Sequence, residues 1–154
     1  RFKVFEMHQI YLGLGSNMGN RRQNIDEAIL RICKQVGRVD GRSSLIETKP
    51  WGFESVHDFM NCCIGVRTSL SPRGVLRTTQ HIERELGRRE KSQDGVYHDR
   101  VIDIDILLYD HLRVDEPDLK IPHPFMFQRD FVMRPLMEIL AEEENKRSAF
   151  SMQP

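Results

Sequence analysis

Two carboxylates stand two residues apart in the segment Arg100-Val101-Ile102-Asp103-Ile104-Asp105-Ile106-Leu107-Leu108-Tyr109. A strand sends alternate side chains to opposite faces, so Asp103 and Asp105 share one face while Ile102, Ile104, Ile106 and Leu108 share the other. Their backbones are then about 6.6 Å apart. Two like charges near that separation repel by about 2 kcal/mol at an effective dielectric of about 20. A divalent cation that takes one oxygen from each, with water and substrate phosphates in its other positions, offsets the repulsion, and Mg²⁺ is commonly held this way. A strand with a solvated outer face accommodates the same pair, so spacing leaves both readings open, although Asp is a poor strand former.

Basic residues gather nearby. Arg84, Arg88, Arg89, Lys91 and Arg100 span a helix end and the loop that leads into the carboxylate strand, where they could close on a polyanion. Most of them fit a solvated surface equally well, with pairs such as Glu85 and Arg89; Arg88 and Arg100 are best placed for a ligand. The chain holds 17 Arg against 6 Lys, and Arg suits bidentate contact with phosphate. Lys plus Arg equals Asp plus Glu at 23 each, so no bulk positive field exists for nucleic acid or an anionic membrane. Familiar phosphate loops fail: Gly13-x-Gly15 runs on to Met18 where a third glycine is needed, and the stretch from Gly87 to Ser92 lacks the second glycine of a P-loop. Phe59 and Phe131 could stack a flat heterocycle whose edge Asn61 reads, or serve as core. His123, between two prolines, is a phosphate donor or an ordinary loop histidine.

The elements that must position these residues follow from periodicity. Gln9–Leu14 alternates as a strand, and Ile25, Ala28, Ile29, Ile32 and Val36 follow helical spacing after Asn20 as N-cap, with Gly37 as stop. Gly41–Thr48 reads as a second strand and Phe59–Thr68 as a third, with Met60, Cys62, Ile64 and Val66 on one face. Ser71-Pro72 opens a second helix, stapled by Leu70 and Val75 and ended by Gly87. Val101–Tyr109 is the fourth strand. A proline-punctuated stretch from Pro117 to Pro124 precedes a last helix with Pro135 near its start, and residues 142–154 read as a frayed tail.

This order predicts an α+β fold, a ferredoxin-like βαββαβ sandwich with a mixed, mainly antiparallel sheet, helices on one face and an extra C-terminal helix. A chain of 154 residues suits a single domain, with its core at about 9–141. Cys33, Cys62 and Cys63 are odd in number and lack zinc spacing. No stretch approaches the ~18 apolar residues of a membrane span, and residues 1–7 lack a signal-peptide core, so a reducing cytoplasm is expected.

Read in order, Gly15-Ser16-Asn17, Thr48-Lys49-Pro50-Trp51-Gly52, Phe59-Met60-Asn61, Gln80-His81-Ile82-Glu83, Gly87-Arg88, the Arg100 to Ile106 stretch and Ile121-Pro122-His123-Pro124 resemble the 6-hydroxymethyl-7,8-dihydropterin pyrophosphokinase family of folate biosynthesis. The resemblance implies transfer of pyrophosphate from ATP to the pterin hydroxymethyl group, with release of AMP and use of two Mg²⁺ ions. It places both ions on Asp103 and Asp105, with Arg88 and Arg100 as catalytic cations. It places ATP at Gln80, Glu83, Arg88, Arg100, Ile106, Lys120, His123 and Arg129. The pterin falls at Thr48, Pro50, Trp51, Phe59, Asn61, Asp103 and Phe131, and Tyr97 matches an aromatic on a mobile loop. The partners implied are the two substrates alone, with no nucleic acid or membrane, on a monomer or weak homodimer. Asp118 and Pro124 depart from relatives that have an Arg and a Tyr there, and Lys120 replaces a small hydroxyl residue.

In-line phosphoryl transfer needs positioning and charge neutralisation more than a protein nucleophile. Another two-metal nucleotidyl or phosphoryl transferase would use the same Asp pair. An RNA-binding module would want a basic, aromatic sheet face where this chain carries Asp103 and Asp105.

Overall fold

The computed structural model describes residues 6–49, 57–87 and 100–151. Strand β1 (His8–Ser16) is followed by helix α1 (Arg21–Gln35), strands β2 (Arg38–Arg42), β3 (Ile46–Thr48) and β4 (Phe59–Thr68), and helix α2 (Pro72–Glu85). Strand β5 (Asp103–Tyr109), a hairpin of β6 (Val114–Glu116) and β7 (Leu119–Ile121), a single 3-10 turn (Met126–Gln128) and helix α3 (Asp130–Ser151) complete the order. The main sheet runs β2-β4-β1-β5, with β3 also on β4, and every described ladder is antiparallel rather than mixed.

Local chemistry starts both first helices where expected. The Asn20 side chain accepts the Gln23 N–H and Ser71 Oγ accepts the Gly74 N–H, each satisfying a donor that the first turn leaves without an intrahelical partner. Pro72 opens α2, and Gly87 follows it with φ at +104°, a conformation that an L side chain rarely adopts.

The sheet has two apolar faces. Ile25, Ala28 and Ile32 of α1 and Val75 and Ile82 of α2 cover Ile10, Leu12, Leu14, Cys62, Ile64, Val66, Ile102, Ile104 and Ile106. Helix α3 lies on the opposite face, not beside α1 and α2, where Leu136 and Ile139 meet Tyr11, Cys63 and Leu107. There the buried Tyr11 hydroxyl donates to Glu143 at 2.6 Å; burial and this carboxylate raise its pKa. Burying an isoleucine-sized side chain stabilises by roughly 1.5–3 kcal/mol, so both faces are strongly held.

Four expectations need correction. The second strand divides into β2 and β3, because Ser43 Oγ accepts the Cys63 N–H at 2.8 Å, supplanting a backbone carbonyl. Strand β5 begins at Asp103, not Val101, and carries an extra residue: the register passes from Leu12↔Ile106 to Tyr11↔Leu108. This bulge turns Leu107 and Leu108 toward the α3 side, and Tyr109 takes the place on the isoleucine face expected for Leu108. The proline-punctuated stretch holds a strand, β7, which pairs with β6 just before it. Finally, α3 runs to Ser151, through most of the segment read as frayed.

Candidate active site

Residues 13 and 15 of β1 are both glycines, and the ladders place them between functional side chains. Asn61, Gly15 and Asp103 form one row across β4, β1 and β5, and Cys63, Gly13 and Asp105 form the next. With strands about 4.8 Å apart, Asn61 and Asp103 are separated by roughly 10 Å of backbone that carries no side chain between them. The result is a flat floor with an amide on one edge and two half-buried carboxylates on the other.

Walls rise from other elements. Phe59 and Asn61 come from β4, Thr48 from β3, Arg129 from the end of the 3-10 turn, Phe131 from the start of α3, and Arg100 from the segment entering β5; all line one cleft with Asp103 and Asp105. Asn61 Nδ2 donates to Thr48 Oγ1 at 2.8 Å, which leaves its Oδ1 toward Gly15 and the floor. Arg129 is buried, with its guanidinium carbon 5.3 Å from the Phe125 ring and 5.8 Å from that of Phe131. Arg100 is also buried, and its Nη1 stands 3.0 Å from Asp103 Oδ1. Charge and planar stacking surface therefore meet within one concavity.

A second groove runs along the outer edge of β5, between α2 and the hairpin. Asp105, Ile106, Asp118, Lys120, His123 and Pro124 line it, and Asp105 belongs to both concavities. The backbone N–H of His123 donates to the Leu107 carbonyl at 3.2 Å, tying this residue to the carboxylate strand. Lys120 pairs with Asp115 across the hairpin. Arg73 of α2 donates to both Asp118 oxygens at 2.8 Å each and also pairs with Glu116, and these bonds hold the Asp118 carboxyl below its ordinary pKa.

Two residues expected at the nucleotide lie on α2 instead of lining either concavity. Gln80 is half-buried, and Glu83 is buried with its Oε2 accepting the Ile104 N–H at 2.9 Å. That bond caps the free edge of β5 midway between the two carboxylates. Arg88, Pro50, Trp51 and Tyr97 lie outside the described residues. Sequence reasoning set Gly13 and Gly15 aside as a phosphate loop and quoted Gly15-Ser16-Asn17 for the resemblance, but it assigned no role to either glycine or to Asn17, which holds the Arg100 backbone.

Two carboxylates at strand spacing, beside buried arginines and open to a groove with His123, are hard oxygen donors suited to a divalent cation that completes its shell with water and phosphate oxygens. Among the described residues no group of three or more His, Cys, Asp or Glu is placed to hold a metal ion. The described helices include none long and apolar enough to cross a membrane.

Residues 11–141 match the sequence model of the 7,8-dihydro-6-hydroxymethylpterin-pyrophosphokinase family. The chain is 50% identical over 131 residues to the 2-amino-4-hydroxy-6-hydroxymethyldihydropteridine pyrophosphokinase of Porphyromonas gingivalis, covering 84% of this chain and 89% of the relative. It is 41% identical over 133 residues to the Aquifex aeolicus enzyme of the same name, covering 86% and 81%. A crystal structure of an HPPK-DHPS protein in complex with substrates shares the fold, with a TM-score of 0.64 at 15% identity; the match covers 87% of this chain and spans 40% of that longer one.

Proposed function

The chain belongs to the 7,8-dihydro-6-hydroxymethylpterin-pyrophosphokinase family and catalyses pyrophosphate transfer from ATP to hydroxymethyldihydropterin in folate synthesis, and from that premise we propose how its two concavities divide the work. The pterin occupies the floored cleft and the nucleotide the groove along β5. The observation that carries this reading is that Asp105 lines both, so the hydroxymethyl oxygen and the phosphate chain meet at the carboxylate pair.

Phe59 and Phe131 sandwich the pterin, while Asn61, oriented by Thr48, bonds its polar edge; Pro50 and Trp51 take part in pterin binding. Asp103 and Asp105 hold two Mg²⁺ ions, which supply Lewis-acid charge at the phosphate oxygens when bound. Arg100, and Arg88 from beyond α2, neutralise the triphosphate and the charge that develops as the α–β bridge breaks and AMP departs. Lys120 and His123 meet the phosphates, Ile106 borders the nucleotide, and Arg129 adds charge where the two substrates adjoin. Gln80 and Glu83 act from α2, Glu83 through the β5 backbone, and Tyr97 takes part in substrate binding. No side chain is assigned as general base.

The strand order supports reading the core as a ferredoxin-like βαββαβ sandwich forming one domain, with α3 added on the second face. We place the protein in the cytoplasm, acting as a monomer or weak homodimer. Chromatography after incubation with ATP, Mg²⁺ and the dihydropterin tests the chemistry: AMP and pyrophosphorylated pterin are expected in equal amounts, with no turnover once the metal is chelated. ADP as the nucleotide product, or AMP formed equally well without pterin, would overturn the assignment.

A further inference from the structure

We infer that Asn17 is a positioning residue for the transfer reaction and acts through Arg100; this rests on the reading of the site given above. Asn17 follows β1, is 1% exposed and makes no ladder pairing. Its Oδ1 accepts the backbone N–H of Arg100 at 2.6 Å, and its own backbone N–H donates to the Arg100 carbonyl at 3.0 Å. Both polar groups of the Arg100 main chain are thus held by one residue. Its Nδ2 donates to the carbonyl of His57 at 3.3 Å, on the segment that enters β4.

The location explains the need. The last rung between β1 and β5 is Gly15↔Asp103, so the sheet ends before Arg100 and cannot itself fix that residue. Yet Arg100 must hold a buried guanidinium 3.0 Å from Asp103 Oδ1, and a backbone free to drift would carry the charge away from the phosphates. An amide meets this requirement because it offers an acceptor on one branch and a donor on the other. Aspartate keeps only the acceptor, and alanine keeps neither.

The test is a double-mutant cycle on the whole chain: wild type, N17A, R100A and N17A/R100A, each assayed for kcat and for KM of ATP and dihydropterin with Mg²⁺. Because misplacing a reacting group by about 1 Å costs on the order of a hundredfold, N17A is expected to lower kcat by about 10- to 100-fold and to change both KM values less. In the R100A background the same substitution is expected to cost nothing further. N17D, which keeps the acceptor for Arg100, is expected to fall between wild type and N17A, and it carries the test if N17A melts below the assay temperature. Calorimetric affinity for a nonhydrolysable ATP analogue with Mg²⁺ reads the same cycle without turnover, and there too the loss from N17A is expected to vanish in R100A. An unchanged kcat in N17A, or equal losses in both backgrounds, overturns the inference. A wild-type chain that binds the analogue but makes no pterin product fails the functional reading instead, with the binding cycle still deciding the role of Asn17.

Discussion

Gly15 lies opposite Asn61 in the β1-β4 ladder, so close that a Cβ on Gly15 would stand 2.8 Å from Asn61 Oδ1. The amide cannot retreat without loosening its 2.8 Å bond to Thr48 Oγ1. Gly15→Ala is therefore expected to displace the group that reads the pterin edge. Losing one hydrogen bond of about 1.4 kcal/mol corresponds to a tenfold change, so the KM for dihydropterin should rise by about tenfold while affinity for the ATP analogue holds. An unchanged pterin KM in a folded variant would remove Asn61 from the recognition edge.

Asp105→Asn should nearly abolish turnover and leave the melting temperature close to wild type. The strand keeps its isoleucine face and loses only charge at the junction of the two concavities, an effect on the order of several kcal/mol of transition-state stabilisation. Steady-state assays across a Mg²⁺ titration check it, and wild-type activity with an unaltered metal optimum would refute the metal role.

Phe131→Ala is expected to weaken dihydropterin binding with little effect on the nucleotide. The ring is half-buried on the cleft wall, and aromatic stacking contributes about 1 kcal/mol beyond the buried area. Paired calorimetric titrations with each substrate decide the matter; a variant that simply unfolds would show that the ring is core.

Arg73→Ala should raise the KM for MgATP several-fold, most at low salt, without altering the pterin KM. Removing this guanidinium leaves Asp118, which lines the nucleotide groove with Lys120 and His123, and Glu116 of β6 without their arginine partner. Adding Asp118→Asn should restore much of the affinity, and the absence of any rescue would assign Arg73 to hairpin stability alone.

Burial pushes the Cys62 thiol from 9.0 up to about 12 and raises Cys63 as well, so the folded chain keeps protons that the unfolded chain gives up first. Stability is then fully present below about pH 9 and lost as pH rises toward about 12. Thermal melts should show the midpoint falling across this alkaline window, and Cys62→Ala should flatten the slope even if its midpoint at neutral pH is lower. A pH-independent midpoint would contradict the burial of both thiols.

Strand β4 was legible to the residue, because Met60, Cys62, Ile64 and Val66 alternate without interruption between two turn segments. The caps at Asn20 and Ser71 were legible too, since capping is decided by neighbours three residues away. The break at Ser43 and the extra residue near Leu107 were not, because each depends on a partner strand distant in sequence. Among site residues, the shared face of the Asp pair is legible from strand spacing, whereas its use is not, because a solvated face accommodates the same spacing. Gly13 and Gly15 acquire meaning only when the ladders place carboxylates on one side and Asn61 on the other. The clasp at Asn17 spans 83 residues, and nothing local to either end marks it.

The floor of the cleft has a consequence for how the protein is made. Its central strand is the first to leave the ribosome, whereas the carboxylate strand that completes it lies roughly ninety residues later, about 5 to 20 s of synthesis at ordinary elongation rates. Until β4 follows, β1 lacks that partner too, and from then until β5 emerges it can pair with β4 on one side only, its other edge presenting unsatisfied amides and carbonyls beside apolar side chains. A nascent chain stalled before Asp103 thus carries an exposed strand edge, the kind of surface that pairs with other chains and aggregates.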